Sequence, residues 1–192
     1  MNHFAHLYLA GPTVESRVGN LLGDFARGVD ENQLPEPVRA GLEHHRAVDA
    51  FTDAHPEVLA CKALFSSERR RFAGIALDIL FDHYLLRHWA SFGHGDKHQF
   101  IHELYRDLEQ GVDLMPENMA RVTRSMVSHD WFRAYQDLNK VGAAMDRVAQ
   151  RIRFQHRFAG IIKEIRPMDE ELEARFLAFF PDLLAFSESR QS

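Results

Sequence analysis

His45 and Asp49 are four residues apart, and so are Asp78 and Asp82. On a helix this spacing stacks two side chains one turn apart on the same face. Each pair can therefore hold one cation from a single helix. His83 follows Asp82, about 100° round the axis. The stretch Phe72–Trp89 is apolar on almost every side, as expected of a helix enclosed by others. Two carboxylates on such a helix repel each other and lose hydration. They protonate, pair with a cation such as Arg87, or bind a metal. Asp24 lies among apolar neighbours in Gly19–Gly28, and His6 lies between Ala5 and Leu7. Singly, Asp24 reads as a capping acid, His6 as a core histidine, and Asp49 as an acid orienting a buried His45 ring. Two matched pairs in one small chain point instead to a shared metal site.

The donors are imidazole and carboxylate, which suit Mn²⁺, Fe²⁺, Mg²⁺ or Zn²⁺. Cys61 is the sole cysteine, so a thiolate zinc knot is excluded. Its neighbours Val58, Leu59, Ala63 and Leu64 read as one helix face with a buried, inert thiol. A divalent ion held by such donors polarises phosphoryl oxygens and acidifies water, which is hydrolase chemistry. The formal net charge of −5 argues against a general nucleic-acid binder. No apolar run reaches the ~20 residues of a membrane span. No cationic, then apolar, leader opens the sequence, so the cytoplasm is the expected compartment.

Helical periodicity dominates, and alternating runs of Val, Ile and Thr are missing. The 192 residues suit one domain, residues 1–192. Helices are expected over Asn2–Leu9, Glu15–Arg27, Val38–Phe51 and Pro56–Phe65, with Asp53 or His55 capping the last. The longest helix is expected from Glu68 to Ser91. Further ones follow over Lys97–Gly111, Pro116–Ser128, Trp131–Arg153 (one or two) and Met168–Phe180, stopped by Pro181. The glycines near Asp24 do not form a strand–turn–helix phosphate loop.

Four ordered blocks carry a resemblance: Asn2-x-x-Ala5-His6-Leu7-x-Leu9-Ala10; Gly19-Asn20-Leu21-x-x-Asp24-Phe25-x-Arg27-Gly28; His45-Arg46-x-Val48-Asp49-x-x-Thr52-Asp53; and Leu77-Asp78-x-x-x-Asp82-His83-x-x-x-x-His88-Trp89. Trp131 with Tyr135, Arg151, and Leu172 to Pro181 extend it over nearly the whole chain. As an ordered set these resemble the acyl carrier protein phosphodiesterases. The resemblance implies a Mn²⁺-favouring hydrolase of the phosphodiester between a carrier-protein serine and 4′-phosphopantetheine. It also implies a distant kinship with HD-type phosphohydrolases. The order here is Asp82-His83, so HD-type ligand roles do not transfer by order, and His44 falls outside the pattern.

The resulting expectation is an all-α, HD-like compact bundle with a buried metal-binding central helix. Asp24, His45, Asp78 and Asp82 are the expected ligands. His6, Asp49 and His83 are second-rank, as ligands or as groups that orient ligands, activate water or move protons. Arg27 and Arg46 are candidates for phosphate contact. Holo-acyl carrier protein, an acidic substrate, is expected to meet a basic patch: Arg69-Arg70-Arg71 on the helix of Asp78, or Arg151, Arg153 and Arg157 with His156. Two rival functions remain open, a nucleotide or alarmone phosphohydrolase and a non-catalytic carrier-binding module.

Overall fold

The computed structural model describes residues 1–191, and no strand occurs among them. Its α-helices are α1 (His3–Leu9), α2 (Val14–Leu22), α3 (Glu36–Ala54), α4 (Pro56–Leu64), α5 (Ala73–Arg87), α6 (Trp89–Phe92), α7 (Lys97–Gln110), α8 (Glu117–Ser128), α9 (Trp131–Ala134), α10 (Leu138–Ala149), α11 (Ile162–Ile165) and α12 (Asp169–Gln191). One connected apolar core joins them, running from Phe4 through Leu21, Leu42 and Phe81 to Phe176 and Phe180. No helix among the described residues is long and apolar enough to cross a membrane.

The close contact of α2 with α3 rests on glycine. A Cβ on Gly19 would lie 2.2 Å from the Val38 carbonyl oxygen, and one on Gly41 would lie 2.9 Å from the Gly19 Cα. Backbone therefore meets backbone, and the C-terminal end of α2 lies against the middle of α3. The Thr13 side chain caps α2 by accepting from the Ser16 amide. A 3₁₀ turn, Gly23–Phe25, follows α2 and carries Asp24. The helix thus ends earlier than the expected Arg27. The chain leaves through Gly28 in the left-handed region at φ 84°.

Helix α5 is enclosed as expected, packed on α1, α4, α10 and α12. It begins at Ala73, not Glu68, because Arg70–Phe72 form a 3₁₀ turn. The longest helix is α12, which runs straight through Pro181. A proline inside a helix forgoes the bond to the carbonyl four residues back. Here both Pro181 and Leu177 lie on the exposed side, where water can serve that carbonyl. Leu172, Phe176, Phe179, Phe180 and Leu183 hold the opposite side in the core. His55, not Asp53, caps α4 by accepting from the Glu57 amide, and Asp53 instead pairs with Lys62. Cys61 is fully buried, and burial pushes its thiol up to about 12.

His44 ties α2 and α3 to α12. Its Nδ1–H donates to the Asn20 side-chain oxygen at 2.7 Å, and its Nε2 accepts from the Ser187 hydroxyl at 2.9 Å. That arrangement suits a neutral ring. Burial, with Arg190 and His45 adding to it, lowers its pKa. In the unfolded chain His44 protonates near the ordinary ~6.5. As pH falls below that value the unfolded state gains a proton that the folded state refuses, so stability is lost on acidification. One such proton contributes at most about 1.4 kcal/mol per pH unit. The urea-unfolding free energy of His44→Gln should therefore fall less between pH 7 and pH 5.5 than that of the parent. Equal falls in the two proteins would remove His44 from the account.

Candidate metal centre

Three of the expected donors meet. The Asp49 carboxylate of α3 lies with Oδ1 3.1 Å from His6 Nε2 and Oδ2 3.1 Å from His45 Nε2. The His6 and His45 rings stack with centroids 3.7 Å apart. One ligand atom from each of His6, His45 and Asp49 lies within 4.8 Å of the others, a spacing that could hold a metal ion. Gly23 makes room for this: a Cβ there would stand 2.1 Å from the His45 ring. The Nδ1–H of His45 donates to the Asn20 carbonyl at 2.7 Å. That bond fixes the tautomer and leaves Nε2 facing the cluster, as in metal-binding histidines whose second nitrogen is tied to a carbonyl.

Asp78 of α5 closes the cluster from the other side. The α-ammonium of Met1 lies 3.1 Å from Asp49 and 3.0 Å from Asp78. Burial alone would discharge it, but Asp78 and Asp49 hold its pKa up at about 10. The gap between these two carboxylates thus accommodates a cation. Burial opposes ionisation of Asp49 as well, yet His45, His6 and the ammonium hold its carboxyl well below the usual carboxylate range. Burial lowers the His6 imidazolium to about 3, with Asp49 opposing and the His45 and Met1 charges assisting. His6 is therefore neutral, and its Nδ1 is buried without a partner. The donor set is two imidazoles and a carboxylate with ligand atoms within 4.8 Å of one another, and it fits a divalent ion.

Asp24 stands at the edge, and His3 donates to it from Nδ1 at 2.8 Å. Burial opposes ionisation of Asp24, but His3, with His45 and His6, lowers its pKa to about 2. Burial likewise opposes protonation of His3, and Asp24 outweighs it, so the imidazole pKa is raised. His3 was not singled out from the sequence. The signal was present, since His3 and His6 are three residues apart and share a face of α1.

Asp82 and His83 do not join the cluster. Asp82 is fully buried, and its two oxygens accept from the Phe4 amide, the Ala5 amide and the Asn2 side chain at 3.0, 2.9 and 3.0 Å. It caps the N-terminus of α1, so its lone pairs face backbone donors. Burial pushes its carboxyl up to about 7, against the pull of the Ala5 and Phe4 amides. His83 donates from Nδ1 to the Tyr135 carbonyl at 2.6 Å, and its buried Nε2 has no partner. Arg87 pairs with Asp169 and Glu173 of α12 rather than with Asp82.

Residues 1–183 match the family model for acyl carrier protein phosphodiesterase. The chain belongs to that family. Proteins named acyl carrier protein phosphodiesterase from Serratia proteamaculans and Pectobacterium atrosepticum are 32% and 31% identical to it, with both chains covered in full. One of that name from Escherichia coli is 34% identical, with 96% of each chain covered. No solved structure matches the chain.

Membership in a phosphodiesterase family makes the chain an enzyme and makes the phosphate-binding groups the next question. Most of the arginines singled out from the sequence are engaged elsewhere. Arg46 is bidentate to Glu31 at 2.9 and 2.6 Å. Arg69 donates to the carbonyls of Arg157, Ala159 and Gly160. Arg70 donates to those of Ala63 and Phe65, and Arg71 to that of Gln155. The triple-arginine run therefore lies on the turn before α5, not on the helix of Asp78, and it fastens the loop after α10. Arg157 leans on Glu68. Arg27 is exposed, and Arg151 lines a cleft beside His3.

Proposed function

We propose that this enzyme hydrolyses the phosphodiester linking 4′-phosphopantetheine to the serine of holo-acyl carrier protein, releasing apo-carrier protein, and that it does so with a divalent metal. The observation that carries the metal part is the meeting of His6, His45 and Asp49, whose ligand atoms lie within 4.8 Å of one another. His6, His45, Asp49 and Asp78 would hold the ion, with Asp24 within reach of the same charges. Mn²⁺ is the first choice, and Mg²⁺, Fe²⁺ and Zn²⁺ are compatible with the donor set. When bound, a divalent ion supplies Lewis acidity toward phosphoryl oxygens and lowers the pKa of water.

The protein's own groups do the rest. The Asn20 carbonyl aims His45. Asp24, kept ionised by His3, adds negative charge that favours a cation over a second anion. His3 presents the imidazole edge that Asp24 does not use toward the cleft, where it can donate to a phosphate oxygen. Inward His and carboxylate donors carried on α1, α3 and α5 support the HD-type kinship as part of this reading. The cytoplasm is the compartment it implies, and a buried free thiol suits that compartment.

The test is direct. Holo-acyl carrier protein is incubated with the purified enzyme, and the protein product is weighed by mass spectrometry. Loss of the phosphopantetheine arm is expected with Mn²⁺, no loss after chelation, and recovery on adding Mn²⁺ back. Full turnover in a demonstrably metal-free preparation would remove the metal from the proposal. An unchanged carrier mass with folded, Mn²⁺-loaded enzyme would remove the substrate.

A further inference from the structure

Beside the cluster lies a cleft of about 520 Å³, within the ~300–1,000 Å³ typical of pockets that enclose small ligands. One wall is α10. Lys140, Ala143, Ala144, Arg147 and Val148 line it, and their spacing of three, one, three and one residues marks a single helix face; Arg151 lines the cleft from the turn just after α10. Trp131 and Tyr135 form part of the wall opposite, and Ile79 of α5 contributes from the central helix. The inner end reaches Asn2 and His3. His3 stacks between Phe25 and Trp131, with centroids at 6.0 and 6.5 Å. Its Nδ1 is engaged by Asp24.

The cleft carries Lys140, Arg147 and Arg151 on one side, reaches His3 at its inner end, and has Ile79, Trp131, Ala143, Ala144 and Val148 as its apolar lining. The guanidinium groups of Arg147 and Arg151 make no ion pair or hydrogen bond among the described residues, unlike those of Arg46 and Arg69–Arg71. The Arg151 charge is felt at His3, and both arginines are felt at Tyr135. Unpaired guanidiniums beside the innermost imidazole suit an oxyanion, for which Arg offers a planar, two-pronged donor. Ala143 and Ala144 of the lining carry small side chains, and the slot they leave along α10 suits a slender chain.

We propose that this cleft seats the pantetheine arm, with its phosphate at the His3–Arg151 end and its chain lying along α10. The inference rests on the function proposed above and adds the place and residues of arm recognition. Arg151 and His3 take phosphate oxygens. Ala143, Val148 and Trp131 enclose the chain, and Arg147 flanks the phosphate end.

Calorimetric titration of the Mn²⁺-loaded enzyme with 4′-phosphopantetheine and with pantetheine, which lacks the phosphate, tests the assignment. Ala143 is exposed, so Ala143→Trp fills the slot without entering the core. It should weaken 4′-phosphopantetheine at least ~10-fold. Arg151→Ala should weaken 4′-phosphopantetheine by a similar factor and leave pantetheine within about twofold. Circular dichroism and Mn²⁺ content should match the parent in both. If folded Ala143→Trp binds 4′-phosphopantetheine as the parent does, or if Arg151→Ala weakens both probes equally, the assignment is overturned. Turnover of holo-acyl carrier protein separates the two proposals. A parent that cleaves it while Ala143→Trp keeps the parental KM sinks the cleft alone. A parent that binds 4′-phosphopantetheine in an Ala143→Trp-sensitive way but cleaves no carrier protein sinks the function and leaves the cleft standing.

Discussion

Asp49→Asn should abolish Mn²⁺ retention and lower holo-carrier hydrolysis by at least ~100-fold, on the order of 3 kcal/mol of barrier. Asp49 is the one side chain that touches both rings of the cluster and the Met1 ammonium. Replacing one oxygen by an amide nitrogen removes the charge and points donor hydrogens at a neighbour that needs an acceptor. The fold should survive, because Asp49 is half-exposed at 41% and the apolar core does not depend on it. Metal content after gel filtration, together with the mass-spectrometric assay, checks the claim. A folded Asp49→Asn protein that retains stoichiometric Mn²⁺ and cleaves at the parental rate would dismiss Asp49 from the centre.

The second large effect is on stability. Asp82→Ala should lower the unfolding free energy by about 3–5 kcal/mol, because it strips the acceptors from three donors, two of them backbone amides at the start of α1. Each buried donor left unsatisfied costs roughly 1–3 kcal/mol, and an anionic acceptor at a helix N-terminus adds to this. For a chain of this length the change corresponds to a fall in Tm of about 10 °C or more. Asp82→Asn should be milder but still destabilising, since its amide nitrogen would face N–H groups. The two roles of Asp82 separate cleanly. If it caps α1, the Asn variant loses Tm yet keeps Mn²⁺ when assayed well below its midpoint. If it is a ligand, Mn²⁺ is lost while Tm holds, and the capping account fails.

The contrast between Asp49 and Asp82 shows what the sequence could carry. Both are i+4 members of a pair on a helix, and the sequence ranked Asp82 among the first ligands and Asp49 in the second rank. Spacing fixes which side chains share a helix face, because 3.6 residues per turn is a local property. It does not fix what faces that side chain across the gap. Asp82 meets the free amides of α1, residues 4 and 5, which are some eighty positions away in the chain. Asp49 meets His6, forty-three positions away.

The amino-acid sequence by itself determined the all-helical class, the enclosure of α5, the family blocks, and the placing of His45 and Asp49 on one helix face. Periodicity, residue type and ordered motifs are all written along one chain. The tertiary structure decided the rest. It spent the Arg69–Arg71 run on loop carbonyls, an outcome that a charge run cannot announce, because the partners are main-chain oxygens near residues 155–160. It carried α12 through Pro181, because the carbonyl left unbonded lies on the wet side. It also drew His3, Arg147 and Arg151 to one cleft. His3 lies more than 140 positions from the two arginines in the chain, and their proximity arises from the packing of α1, α5 and α10 around a shared apolar core.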